Sequence, residues 1–263
     1  MRDQATRAPQ APARDRPVTN TKDADRRLGI VGAGKAGTAI ARAAVAGGYD
    51  VGISGSGPAE RIELVVEVLA PGARALTTDE VVSSADLIVL AIPMHRFREL
   101  RRELFAGKIL VDAMNYWDEI DGVDEQLATA PAGTSMVVQE WFSSARVVKS
   151  LNHLGYFKFD KSRRPAGAPG RIAMAAAGND RAAVGAVLQL IDTLGFDAVD
   201  AGRLEAGLAL QPGGPVFGAG HSAKELSNLL SREVPQLATS KVELELRTAS
   251  GTSDATGEPF DRP

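Results

Sequence analysis

A chain of 263 residues with 44% hydrophobic and 24% charged side chains suits one large or two modest globular domains. A net charge of −3 and an aromatic content of 5% offer neither a basic field nor a stacking surface for nucleic acid. The absence of cysteine excludes disulfides, thiolate metal sites and a cysteine nucleophile, and three histidines give no metal-ligand cluster at a recognised spacing, so no metal is expected.

The leader, residues 1–26, is polar and lacks the apolar run of a signal peptide; residues 231–263 are polar as well. Both are expected to be disordered. No stretch approaches the roughly 20 apolar residues of a membrane span, and a cytoplasmic protein is expected. Leu28 to Val31 is an apolar run ending at a glycine-rich turn, which predicts a buried first strand. Lys35 to Ala46 is rich in alanine, free of proline and stopped by Gly47-Gly48, which predicts a helix. Asp50 to Ile53 follows as a strand, Glu60 to Leu69 as a helix halted by Pro71, Arg74 to Leu76 as a short strand and Asp79 to Ser84 as a brief helix. Asp86 to Ile92 is a nearly continuous apolar strand ended by Pro93. A basic amphipathic helix is expected from there to about Phe105, then a fifth strand over Lys108 to Ala113.

The second half predicts a helix over Thr134 to Ser144, a strand over Arg146 to Leu151 and a polar loop over Phe157 to Gly170. A β-α-β unit follows, made of Arg171 to Ala177, Asp180 to Leu194 and Phe196 to Val199, and then a short helix over Ala223 to Leu230. Strands alternating with helices at this spacing require right-handed crossovers. The expected fold is α/β: a Rossmann-type, doubly wound, mainly parallel sheet, with a dinucleotide-binding domain in residues 27–145. Residues 146–230 are expected to form a smaller C-terminal α/β domain.

Gly32-Ala33-Gly34-Lys35-Ala36-Gly37 has the Gly-x-Gly-x-x-Gly spacing, and its place between a strand and a helix lifts it above chance. The first glycine permits the tight turn, the second lets the backbone approach a pyrophosphate, and the third lets helix pack on strand. Free amides at the start of the helix, with its positive dipole end, bind the phosphates. The end of the second strand then reports on the cofactor. NAD enzymes place a carboxylate there for the ribose 2′-hydroxyl. Here the residues are Ser54, Gly55 and Ser56, with Arg61 beyond them; hydroxyls, amides and a guanidinium suit a 2′-phosphate, so NADP(H) is expected.

Ala91, Ile92 and Pro93 close a buried strand at the carboxyl edge of the sheet, where ligands bind in open α/β folds. Asn115 and Asn152 end later strands at the same edge and can hydrogen-bond a ribose or carboxamide. Tyr116 and Trp117 form either an aromatic wall or core packing. Asp112 and Lys149 belong within strands, where structural pairing outweighs catalysis, and His221 reads as a cap or surface residue.

Six stretches stand out together: Gly29-Ile30-Val31-Gly32-Ala33-Gly34, Val89-Leu90-Ala91-Ile92-Pro93, Val111-Asp112-Ala113-Met114-Asn115-Tyr116-Trp117, Val147-Val148-Lys149-Ser150-Leu151-Asn152-His153, Gly195-Phe196-Asp197-Ala198-Val199-Asp200-Ala201-Gly202 and Leu210-Gln211-Pro212-Gly213. In them the chain resembles the NADPH-dependent coenzyme F420 reductases (F420:NADP oxidoreductases), whose dinucleotide domain is shared with pyrroline-5-carboxylate reductases. The resemblance implies hydride transfer between NADP(H) and the 5-deazaflavin coenzyme F420 as co-substrate, with residues 146–230 completing the acceptor cleft and His95 on the nicotinamide side. Family members often carry an arginine directly after the serine at the end of the second strand, whereas Gly55 and Ser56 stand here, and Gln211 stands where an acidic residue is common.

Hydride transfer between two bound rings asks for alignment rather than a protein nucleophile, so no catalytic side chain is assigned beyond His95. The expected partners are small-molecule cofactors, with no nucleic acid and no membrane, and a homodimer is the candidate assembly. Two other readings stay open: a reductase of the same fold acting on an imine, a flavin or a metal chelate, and a dinucleotide-binding redox sensor without catalysis.

Overall fold

The computed structural model describes residues 26–232, so the expected leader, save for its last residue, and nearly all of the expected tail lie outside the described residues. Eight strands form one sheet: β1 (Arg27–Val31), β2 (Asp50–Ser54), β3 (Arg74–Ala75), β4 (Leu87–Leu90), β5 (Ile109–Asp112), β6 (Arg146–Ser150), β7 (Ala173–Gly178) and β8 (Asp197–Gly202). Their order is β3-β2-β1-β4-β5-β6-β7-β8, and every neighbouring pair is parallel except β6 with β7. The fold is thus the Rossmann-type, mainly parallel α/β sheet expected. The sheet runs without interruption across residues 145 and 146, since β5 and β6 are paired from Ile109↔Arg146 to Asp112↔Lys149.

Register explains why one edge collects the functional groups. Ser54, Val31, Leu90, Asp112 and Lys149 stand level across five neighbouring strands, so the turns after them open side by side. The chain order reverses between β1 and β4, which leaves a crevice there.

Helices cover both faces because the strands are apolar on both sides. On one face, α1 (Lys35–Ala46), α2 (Glu63–Leu69), α7 (Tyr156–Ser162) and α8 (Arg181–Thr193) enclose a core with Ile30, Val89, Val148, Val187 and Phe196. On the other, α3 (Thr78–Ser84), α5 (Glu125–Ala128) and α6 (Thr134–Trp141) enclose Val31, Leu90, Phe97, Phe105 and Phe142. The one-turn α4 (Asp118–Asp121) stands in the connection after β5. A helix at 223–232, α9, lays Leu226 and Leu230 on β7 and β8.

The structure corrects the local reading in three places. The amphipathic helix expected after Pro93 is instead two 3-10 segments, Met94–Glu99 and Arg102–Phe105, separated by extended Leu100 and Arg101. Three residues per turn put Met94 and Phe97 together in the core. Part of the polar loop expected from Phe157 is α7, which forms because Phe159 is buried against the Phe196 ring at 5.0 Å and Asp160 pairs with Arg42. Finally, His221 is half-buried and is not the cap of the last helix. Ser222 caps α9 together with Glu225, while the His221 carbonyl accepts from the Ala173 amide at 2.8 Å and its Nε2 is buried. No helix among the described residues is long and apolar enough to cross a membrane.

Candidate functional site

The glycine turn is built by contacts that admit no side chain at two of its three glycines. Gly32 has φ +123°, and its amide donates to the Ser54 carbonyl at 2.8 Å. A Cβ there would lie 2.3 Å from the Ala91 carbonyl oxygen; one on Gly37 would lie 1.8 Å from that of Gly32, so the helix can seat on the strand only with glycine. Gly34 is different: extended, exposed, and with nothing within 4 Å of a built Cβ. That open space above the turn is where a pyrophosphate fits. No side chain caps α1, and its first internal bond is Thr38 N–H to Gly34 C=O at 2.9 Å, so the amides of Lys35, Ala36 and Gly37 point free at the same space.

A cleft of about 410 Å³ continues from the turn. Its walls are the Gly32–Gly34 turn, Gly55–Gly57 with Ile62 and Thr78, and Ala91–Pro93 with Arg96, Glu99 and Leu100. Of the residues singled out from sequence, Gly32, Gly34, Gly55, Ser56, Ala91, Ile92 and Pro93 therefore meet in one crevice. Ser54 lies beneath it: fully buried, its Oγ accepts from Thr78 Oγ1 at 3.2 Å, and it is Thr78 that reaches the cleft. Arg61 is exposed and rests against Gly57 without lining the cleft. Lys35 places its ammonium 5.5 Å from the ring centre of Tyr156, which α7 brings to the start of α1.

Further along the edge, Leu151 takes a left-handed backbone (φ 62°) and turns the chain sharply after β6. This sets Asn152 against Asn115. Asn152 Nδ2 donates to Asn115 Oδ1 at 2.9 Å and to the Leu210 carbonyl at 2.7 Å, while Asn115 Nδ2 donates to the Asn152 carbonyl at 3.0 Å. The Asn152 Oδ1 is buried without a partner, an acceptor left for a donor. His95 donates or accepts through Nδ1 with Asp121 Oδ1 at 2.9 Å, and both of its neighbours in that clasp are amides: His95 N and Trp117 N also donate to Asp121. Tyr116 secures the same loop, its hydroxyl donating to the Gly122 carbonyl at 2.8 Å, and Trp117 packs edge-on to Phe217 at 5.8 Å.

Asp112 and Lys149 form a buried pair, Nζ to Oδ2 3.4 Å, below this edge, and Lys149 also donates to the Met114 carbonyl at 2.5 Å. Gln211 accepts through Oε1 from the Thr134 amide at 3.5 Å and hydroxyl at 3.4 Å, so it caps α6; an acidic side chain there would do the same with charge. Among the described residues no group of three or more His, Cys, Asp or Glu could hold a metal ion. A second groove, about 700 Å³, opens at the opposite edge of the sheet near Arg26, Tyr49 and Gln189, away from the glycine turn.

Burial keeps His153 neutral. It is enclosed completely, its Nε2 accepts from the Ala175 amide at 3.3 Å, and desolvation lowers its pKa from 6.5 to about 4, with Lys149 and His221 adding to the effect. Unfolding releases the ring to its ordinary pKa, so between those values the unfolded chain holds a proton that the folded one lacks. The stability is fully present above pH 6.5 and is lost as pH falls to about 4. A gap of 2.5 units corresponds to about 3 kcal/mol. Urea unfolding at pH 7, 5.5 and 4.5 should show this slope in the wild type and a flatter one in His153→Gln; equal slopes would refute it.

Thr78, Arg96, Glu99, Ile62 and Leu100 line the cleft without having been singled out in sequence. For Arg96 and Glu99 the signal is indirect, since an α-helical reading of residues 94–105 hides the three-residue spacing they share with Pro93.

Comparison with known proteins agrees with this geometry. Residues 27–116 match the family model described as NADP oxidoreductase, coenzyme F420-dependent. A search of curated proteins found no match. Among solved structures, a hypothetical protein from Sinorhizobium meliloti is 26% identical, covering 74% of this chain and 94% of its own, with a TM-score of 0.62. A proposed F420-dependent NADP-reductase from Arthrobacter sp. is 25% identical over 74% of this chain and 98% of its own, with a TM-score of 0.60. Glycerol-3-phosphate dehydrogenase from Coxiella burnetii, 13% identical over 67% of this chain and 54% of its own with a TM-score of 0.51, shares the fold. Residues 27–116 are thus similar to the domain of the family described as NADP oxidoreductase, coenzyme F420-dependent, and they lie in a Rossmann-type sheet.

Proposed function

We propose that the chain transfers a hydride between NADP(H) and coenzyme F420, with residues 27–145 holding the dinucleotide and 146–230 completing the acceptor cleft. The observation that carries the reading is that the residues matching the F420-dependent family, 27–116, contain every wall of the cleft and end beside Asn115. The proposed F420-dependent reductase from Arthrobacter, similar along 74% of this chain, supports it.

When bound, NADPH supplies the hydride from its dihydronicotinamide ring. The chain's own part is placement. The free amides at the start of α1 hold the pyrophosphate, and Gly34 leaves room for it. Pro93 and the Ala91–Ile92 backbone wall the ring-bearing side. The Asn115–Asn152 pair presents fixed polar groups at the end of β5 and β6, with the free Asn152 Oδ1 as acceptor. Trp117 and Phe217, packed edge-on, add an apolar flank beyond that pair. Hydride transfer between two aligned rings needs no protein nucleophile.

Purified protein should oxidise NADPH with F420 and bleach its visible absorbance, and do so at least about tenfold faster than with FMN, FAD or pyrroline-5-carboxylate. Preference for any of those three acceptors would reassign the substrate while leaving the dinucleotide site in place.

A further inference from the structure

The β2 turn brings no cation to the walls of the cleft. That turn offers Gly55, Ser56 and Gly57 to the cleft, with Thr78 beside them and no arginine where the family pattern often has one. Arg61, with its Nη1 3.4 Å from where a Gly57 Cβ would stand, neighbours the turn but is not among the walls of the cleft. The facing wall does carry a guanidinium. Because Met94–Glu99 is a 3-10 helix, its residues fall on three faces. Met94 and Phe97 are in the core; His95 and Arg98 reach Asp121 and Asp124; Pro93, Arg96 and Glu99 line the cleft.

On that third face, Glu99 Oε2 accepts from Arg96 Nε at 3.0 Å and from Nη2 at 2.7 Å. One edge of the guanidinium is thereby fixed, and Nη1 keeps its donors. The Arg96 hydrogen bond in turn holds the Glu99 carboxyl below the usual carboxylate range, so it stays ionised.

We infer that Arg96 receives the 2′-phosphate of NADP(H) from across the cleft, in place of an arginine on the β2 turn, and that Glu99 limits the preference for the phosphorylated cofactor. The inference rests on the reading that this cleft holds the dinucleotide. A guanidinium can keep one edge on a carboxylate while another donates to phosphate oxygens, because its five donors lie in a rigid plane. The Glu99 carboxylate repels a 2′-phosphate but accepts from a free 2′-hydroxyl. The two residues therefore pull in opposite directions: Arg96 favours NADPH and Glu99 favours NADH.

Calorimetric titration of NADPH and NADH into wild type, Arg96→Gln, Glu99→Gln and Arg61→Gln tests this without any acceptor. Arg96→Gln should weaken NADPH about 30-fold, the loss of charge-assisted bonds to a phosphate, and change NADH less than about threefold. Glu99→Gln should tighten NADPH and weaken NADH, while Arg61→Gln should move neither by more than about threefold. An unchanged NADPH-to-NADH ratio in Arg96→Gln, or its collapse in Arg61→Gln, overturns the assignment of Arg96. Weaker NADPH binding in Glu99→Gln overturns the opposing role of Glu99. Wild type that binds neither dinucleotide overturns the cleft reading itself, a result separate from both.

Discussion

A Gly34→Val variant should bind no NADPH at concentrations that saturate the wild type, and should unfold within about 2 °C of it. Both halves follow from the same geometry. The backbone at Gly34 is extended (φ −81°, ψ −171°), a conformation valine adopts freely, and a built Cβ meets nothing within 4 Å. The fold therefore has no objection to the side chain. The pyrophosphate does, because the branched carbons would fill the space faced by the free amides of α1. Gly37 supplies the contrast: a Cβ there would stand 1.8 Å from the Gly32 carbonyl oxygen, so Gly37→Ala should lose stability before it loses anything else. Calorimetry with NADPH and thermal unfolding by circular dichroism separate the two variants. Tight binding by Gly34→Val would mean that the phosphates lie elsewhere.

Asp112→Asn should destabilise the protein by about 3–5 kcal/mol, since it leaves a buried cation without its carboxylate. Lys149 is fully enclosed and packed against Gly207, and burial already pulls its pKa below the ordinary value, opposed by Asp112. Asp112 is better supplied: it also accepts from Ser135 Oγ at 2.7 Å and from the Met114 amide at 3.0 Å. Lys149→Met should consequently cost less, and the double variant should recover part of the loss. The sign with pH is defined too. A lysine whose folded pKa lies below its unfolded one makes the unfolded chain the greater binder of protons between the two, so stability rises with pH there. The rise should be steeper in Asp112→Asn than in wild type. Urea unfolding from pH 7 to 10 measures it, and a cost under about 1 kcal/mol would contradict the account.

How much of this was legible in the sequence depended on the distance over which each feature is decided. The β1–α1 unit was legible because its glycines, its apolar strand and its alanine-rich helix all act within about 20 residues. The crevice residues Ala91 to Pro93 and the Asn115 and Asn152 positions were legible for a related reason: an apolar strand ends where its burial ends, and polar residues there mark the carboxyl edge. The second strand's end was harder. Ser54 and Ser56 look equivalent in sequence, yet the register with β1 buries Ser54 under Thr78 and leaves Ser56 in the cleft. Helix α7 escaped notice because the ring that buries Phe159 is Phe196, outside any local window. Arg96 escaped because helical periods of 3.6 and 3.0 residues cannot be distinguished over two turns of sequence.

The reversal between β6 and β7 has a consequence for how such a chain can change. The unit β7-α8-β8 is contiguous in sequence, and it joins the sheet through one seam whose register spans only Val148↔Gly178 to Ser150↔Ala176. All the strands that carry the dinucleotide turns lie on the other side of that seam, already aligned with one another. A different C-terminal unit would have to match the outer edge of β6 and, through its helix, the core that α8 shares with α1. The seam is thus a natural splice point between the strands that carry the glycine turns and a contiguous C-terminal unit.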